Sequence, residues 1–197
     1  MKPELLTIPH AAPTTTSASM KIVFVGNVGS GKTTAIASLS EAPVLGTEVR
    51  ATERDALHRK DTTTVGIEYG SVHIHNTKLH LYGTPGQHRF DFMASIACQG
   101  ATGMIVMIDN AHPQPLAEMD YFLQKHGDFL KNHPSIIAIT HYDDNNTQTY
   151  LIEYHRYLKE HGFSCPIIRL DAREKSQVRQ MLEKLHAKIR NHNVAPI

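Results

Sequence analysis

Cysteine is scarce. Cys98 and Cys165 are the only two in 197 residues, too few for a disulfide framework, so free thiols in a reducing compartment are expected. Neither sign of charge is in excess, since 20 Lys+Arg against 19 Asp+Glu leave a formal charge of +1. That balance offers no basic surface for nucleic acid or an anionic membrane, and no acidic surplus of the kind that keeps chains disordered. Long apolar runs are missing too. The longest, such as Met104 to Ile108, fall far short of the roughly 18–20 residues of a membrane span. The first residues do not follow the positive-then-apolar order of a secretory signal. The start reads Met-Lys, not Met-Gly, and Val194-Ala195-Pro196-Ile197 carries no prenylation cysteine. The expectation is a cytoplasmic protein without membrane span, lipid anchor or nucleic-acid partner.

What is present suffices for one core, with 41% of residues hydrophobic. Residues 1–19 are rich in Pro, Thr, Ser and Ala without a sustained period and read as a flexible leader to a domain over 20–197. From Met20, MKIVFVG is a short β-branched run that suits a buried strand, followed by a loop over 26–33 and a helix from Thr34 to Leu39. Residues 41–63 are polar and irregular, and VGIEYGSVHIHNTKLHLYG reads as two strands joined at Asn76-Thr77. Helical texture runs from Gln87 to about Gln99. Strands are expected over 103–109, 135–140 and 165–170, and helices over 116–131, 147–161 and 173–190. Strands alternating with helices imply a three-layer α/β domain. About six mostly parallel strands are expected, with one antiparallel hairpin strand and helices on both faces.

Gly26-Asn27-Val28-Gly29-Ser30-Gly31-Lys32-Thr33 matches G-x-x-x-x-G-K-[ST], with a buried strand running in and a helix running out. Glycines let consecutive N–H groups curl inward around phosphate oxygens, and the positive end of the following helix adds to that field. Lys32 is placed to reach the β- and γ-phosphates, the Thr33 hydroxyl to ligate Mg²⁺, and Thr34 to extend the phosphate contacts. The spacing therefore predicts a P-loop NTPase.

Four further segments follow in order: Asp61-Thr62-Thr63-Thr64-Val65-Gly66, Gly83-Thr84-Pro85-Gly86-Gln87, Thr140-His141-Tyr142-Asp143 and Asp171-Ala172-Arg173. With the phosphate loop they resemble the Ras-like small GTPases over about residues 20–190, nearest to bacterial members with TTxVG, GTPGQ and THxD segments. The resemblance implies a small-GTPase fold that binds GTP and GDP with Mg²⁺. Thr64 is similar to the first switch threonine, which ligates Mg²⁺ and senses the γ-phosphate. Gly86 looks like the second switch glycine, and Gln87 stands where a glutamine orients the attacking water. Asp143 looks like the guanine-reading aspartate, beside Thr140 and His141. Ala172, next to Arg173, stands where a backbone N–H meets the guanine carbonyl. Read without the resemblance, the run Asp143 to Asn146 equally suits helix capping, and Gln87 a surface position. The implied activity is slow GTP hydrolysis by a molecular switch that signals to effector and activator proteins through segments near 41–66 and 83–98.

Three departures from the family pattern stand out. Gly83 replaces an aspartate that holds Mg²⁺ through water, which leaves the metal to Thr33, Thr64 and the phosphates unless Asp61 or Asp109 compensates. Thr140-His141 replaces Asn-Lys, which implies affinity weaker by about 1–2 kcal/mol per altered contact. Val28 crowds the γ-phosphate side of the loop, which implies turnover near ~10⁻⁴ s⁻¹. Arg50, Arg54, Arg59 and Arg89 are candidates for an arginine acting in cis, with a partner acting in trans the favoured alternative.

A non-hydrolysing guanine-nucleotide scaffold is the first rival reading, and an ATP-dependent P-loop enzyme the second. His73, His75 and His80 fall on the hairpin, with His75 expected opposite Lys78 and His73 opposite His80. Three imidazoles there could bind Zn²⁺ or sense pH, but polar pairs on an exposed edge are the favoured reading.

Overall fold

The structure is a computed structural model that describes residues 18–46, 48–50, 62–64, 66–142 and 147–194. For 48–50, 62–64, 147–150 and 193–194, and for His88, it describes the backbone element alone. Asp61, Asp143, Arg54 and Arg59 lie outside the described residues.

Six strands form the main sheet: β1 (Ala18–Val25), β4 (Glu68–Ile74), β5 (Thr77–Gly83), β6 (Gly103–Asp109), β7 (Ser135–Thr140) and β8 (Ile167–Arg169). Their order is β4-β5-β1-β6-β7-β8, with β4 and β5 antiparallel and every other neighbour parallel. β6 and β7 are continuous apolar runs because both sheet faces are covered, as parallel strands require. One face carries α1 (Lys32–Leu39) and α5 (Lys175–Val194), packed on Ile22, Phe24, Ile105, Met107, Ile136 and Ala138. The residues between these point the other way. Val23, Val25, Met104, Val106, Ile137 and Ile139 meet α2 (Asp91–Cys98), α3 (Pro115–Asn132) and α4 (Thr147–Glu160). The expected three-layer α/β architecture is therefore the observed one.

Pro115 opens α3 at a position where its missing N–H costs nothing. The stripe read from the sequence of α5, Val178, Met181, Leu182, Leu185 and Ile189, is at most 1% exposed. Cys98 and Cys165 are both free thiols, and burial pushes the Cys165 thiol up to about 11.

Three sequence expectations need correction. The segment 41–63 is not wholly irregular, since β2 (Glu48–Arg50) and β3 (Thr62–Thr64) pair antiparallel as a second small sheet. The first strand begins at Ala18, two residues inside the segment read as a leader. The hairpin turn is His75-Asn76, one residue earlier than expected, because His75 adopts the left-handed φ of 51° and Thr77 joins the strand. The β-branched Thr77 is poorly suited to that region. Its hydroxyl is instead buried and bonds His186 Nε2 at 3.1 Å.

That one-residue shift re-pairs the hairpin. His73 faces Lys78, and Ser71 faces His80. The imidazoles then separate by partner: His73 Nδ1 meets Glu41 Oε2 at 2.7 Å, the His75 ring lies tilted at 46° to that of His186 with centroids 5.8 Å apart, and His80 Nδ1 bonds the Tyr69 hydroxyl at 2.8 Å. Among the described residues no cluster of three or more His, Cys, Asp or Glu side chains could hold a metal ion.

Candidate functional site

The parallel strands deliver their C-terminal ends to one edge of the sheet, where ligands of open α/β sheets bind. β1 ends at Val25 and the glycine-rich loop follows at once. Gly29 and Gly31 hold φ of 86° and 94°, left-handed values that admit glycine without strain. Gly31 is the N-cap of α1. It provides no side-chain cap, and the first turn contains no acidic residue. The first-turn N–H groups and the positive dipole end of α1 therefore face the loop. Lys32 is buried, and its ammonium donates to the carbonyls of Gly26 at 2.7 Å and Asn27 at 2.8 Å, with Ser30 Oγ at 3.4 Å. A cation pinned inside a nest of N–H groups is a site for a polyanion.

Three further segments pack onto that loop. Gly86 approaches so closely that a Cβ there would lie 2.3 Å from the Val28 nitrogen and 2.6 Å from the Asn27 carbonyl carbon. Gln87 follows it and is buried rather than exposed on the surface. The Thr140 hydroxyl, at the end of β7, lies 3.1 Å from the carbonyl oxygens of Ser30 and Ile108. Ala172 packs under Gly31, its Cβ 3.0 Å from where a Gly31 Cβ would stand.

Other candidates are engaged elsewhere. His141 holds a left-handed φ of 49°, and its Nδ1 meets Asp109 Oδ1 at 2.9 Å. Asp109 also accepts the Ala111 N–H at 2.9 Å, which commits it to the β6–α3 turn. Arg173 folds onto Asp171 through two side-chain hydrogen bonds of 2.9 and 2.7 Å, and this holds the Asp171 carboxyl down at about 2. Arg89 lies over the Phe90 ring at 5.0 Å. Thr34 is exposed on the first turn of α1. Thr64 ends β3, and the side chains of Thr64 and Arg50 lie outside what is described.

At the foot of the loop, the Thr33 hydroxyl donates to Glu68 Oε1 at 2.5 Å. A hydroxyl and a carboxylate beside a phosphate cradle are hard oxygen donors of the kind Mg²⁺ takes, so the residues present fit that ion. Sequence reasoning missed Glu68. The cross-strand pairing Glu68↔Gly83 brings it here, and only the register of β4 on β5 reveals it.

Sequence reasoning also missed Glu118. Its side chain is 1% exposed, and the backbone amides of Asn27 and Asp109 approach its carboxyl without completing a well-formed hydrogen bond among the described residues. His112 Nδ1 stands 4.0 Å away and accepts the Gln114 N–H at 3.2 Å. Burial, helped by the negative charge of Asp109, pushes the Glu118 carboxyl up to about 7, against the pull of the Asn27 and Asp109 amides and Lys32. Glu118, Phe122 and His126 recur every four residues along the apolar stripe of α3, a sequence signal that polar residues enter the core there.

Comparison with known proteins agrees with this geometry. The family model described as Ras of Complex, Roc, domain of DAPkinase matches residues 21–143. The chain belongs to the Ras-like P-loop GTPases. Guanine-nucleotide binding is the property that membership carries at the level of the family. An uncharacterized protein of Methanocaldococcus jannaschii, MJ1339, is 33% identical over 90 residues, covering 46% of this chain and 51% of that protein. Ras-related protein Rab-18 of Lymnaea stagnalis is 24% identical over 122 residues, covering 60% of this chain and 54% of its own. The chain thus spans about half the length of these curated relatives. Among solved structures, a bacterial selenocysteine-specific elongation factor, EF-Sec, superposes with a TM-score of 0.63 at 20% identity, over 88% of this chain and 29% of that one. That likeness concerns the fold. No helix among the described residues of this Ras-like chain is long and apolar enough to cross a membrane.

Proposed function

We propose that this chain is a guanine-nucleotide switch that binds GTP and GDP and hydrolyses GTP slowly. The observation that carries the reading is the phosphate loop with Lys32 pinned inside it, and Gly86 and Thr140 packed against its backbone from two other segments. Gly26 to Thr34 hold the phosphates. Thr140, His141, Asp143 and the Ala172 N–H read guanine, with Arg173 at the rim. A carboxylate at Asp143 suits the paired donors of guanine and disfavours adenine, which argues against an ATP-dependent enzyme.

Thr33 and Thr64 would hold Mg²⁺, which supplies charge neutralisation across the β- and γ-phosphates when bound. Lys32 takes up negative charge developing on the γ-phosphoryl group, and Gln87 orients the water whose oxygen bonds phosphorus as the bond to GDP breaks. Loss of the γ-phosphate removes the contacts of Thr64 and Gly86, and the segments 41–66 and 83–98 relax. Phe92 and Ile96, one turn apart on α2 and 62% and 54% exposed, supply an apolar contact face for an effector on the second of these segments. An activator protein supplying an arginine in trans completes the scheme, in a cytoplasmic setting that keeps both thiols reduced.

Single-turnover release of inorganic phosphate from GTP tests the hydrolytic half, with Gln87→Ala as control. Slow release that falls at least about tenfold in the variant supports it. No release from either protein favours the non-hydrolysing scaffold.

A further inference from the structure

Gly83 occupies the β5 position where a Mg²⁺-holding carboxylate is expected, and its space is not empty. A Cβ at Gly83 would lie 2.6 Å from Glu68 Oε2 and 2.9 Å from Ile36 Cδ1. Glu68 is the direct cross-strand partner of Gly83 on β4, so a side chain at either position serves the same face of the sheet. Glu68 is 2% exposed, and its other oxygen accepts the Thr33 hydroxyl. Gly46 covers it from outside, its own Cβ position 3.1 Å from Glu68 Cγ.

We propose that Glu68 is the carboxylate of the Mg²⁺ site, transferred from β5 to the adjacent strand, and that Gly83 is glycine to make room for it. The inference rests on the nucleotide-binding reading above. A hydroxyl that ligates a cation through its lone pairs must still place its proton, and Glu68 Oε1 takes the proton of Thr33. That bond aims the lone pairs of Thr33 away from Glu68, as outer partners orient metal ligands generally. Burying a carboxylate is costly, and a dication held at Thr33 offsets that cost. Glutamate is one methylene longer than aspartate, which spans the offset from the neighbouring strand. Glu68 acts on the metal through Thr33 and bound water, as a positioning residue.

The test follows release of a fluorescent GDP from the full chain as free Mg²⁺ is raised from micromolar to 10 millimolar. The Mg²⁺ concentration that half-slows release should rise at least about tenfold in Glu68→Gln. Gly83→Asp alone should weaken the Mg²⁺ dependence by crowding Glu68. The exchange Glu68→Ala with Gly83→Asp should restore it to within about threefold, which a merely structural glutamate would not allow. An unchanged Mg²⁺ midpoint in Glu68→Gln, or no rescue by the exchange, overturns the inference and leaves the nucleotide reading intact. A parent chain that retains no guanine nucleotide overturns both.

Discussion

The hydroxyl of Thr140 lies 3.1 Å from the carbonyl oxygen of Ser30, and this contact joins the end of β7 to the phosphate loop across 110 residues of sequence. Its single proton is shared with the Ile108 carbonyl, also at 3.1 Å. On the proposed reading, the contact links the segment that reads the base to the loop that holds the phosphates. Thr140→Val keeps the shape and removes the hydrogen bond, at a cost of about 1 kcal/mol. Affinity for GDP should fall roughly fivefold by calorimetric titration, with secondary structure unchanged by circular dichroism.

Glu118 gives the stability of the fold a defined pH dependence. Its carboxyl is raised from 4.5 to about 7 in the folded chain, so the folded state binds the proton more tightly than the unfolded state. The resulting stability is fully present below about pH 4.5 and is lost as pH rises through about 7. At ~1.4 kcal/mol per pH unit the whole effect is about 3 kcal/mol. Glu118→Gln removes the charge and keeps the volume. Its melting temperature should exceed that of the parent at pH 8, and the difference should shrink toward pH 5. His126 acts in the opposite direction. Burial lowers its imidazole to about 4, so its contribution is present above about 6.5 and fades as pH falls toward 4.

Gly86 tolerates no side chain in this arrangement, since a Cβ would overlap the backbone of Asn27 and Val28. Gly86→Ala should push the segment 83–98 off the glycine-rich loop, at a cost of about 1–3 kcal/mol. Hydrogen exchange should rise over 83–98 and stay unchanged in β6 and β7.

Val28 is buried against the segment that carries Gly86 and Gln87. Intrinsic turnover of the parent should lie near ~10⁻⁴ s⁻¹ and rise in Val28→Ala, which opens room for Gln87 beside the γ-phosphate. Single-turnover hydrolysis faster than roughly one per minute in the parent contradicts this.

The elements that were legible in the sequence are those whose burial is continuous. Met104 to Ile108 and Ile136 to Ile139 are apolar on both faces, and strands β6 and β7 have the bounds expected from their sequence. β2 and β3 left no such trace, because polar residues such as Glu48, Arg50 and Thr62 to Thr64 build them. The hairpin slipped by one residue because a histidine, not glycine or asparagine, takes the left-handed position. The phosphate loop was legible because its chemistry is local, eight residues in a row. Glu68 was not, because its partner Gly83 is fifteen positions away and meets it only through strand register. Glu118 lies between these cases, in reach of a periodicity argument that takes account of a carboxylate on a buried stripe.

The most direct test titrates nucleotide-free protein with GDP, a non-hydrolysable GTP analogue and ATP in a calorimeter, with and without Mg²⁺. Guanine-selective binding with no measurable heat from ATP is the predicted result. Equal affinity for ATP, or no binding of any nucleotide, contradicts the account.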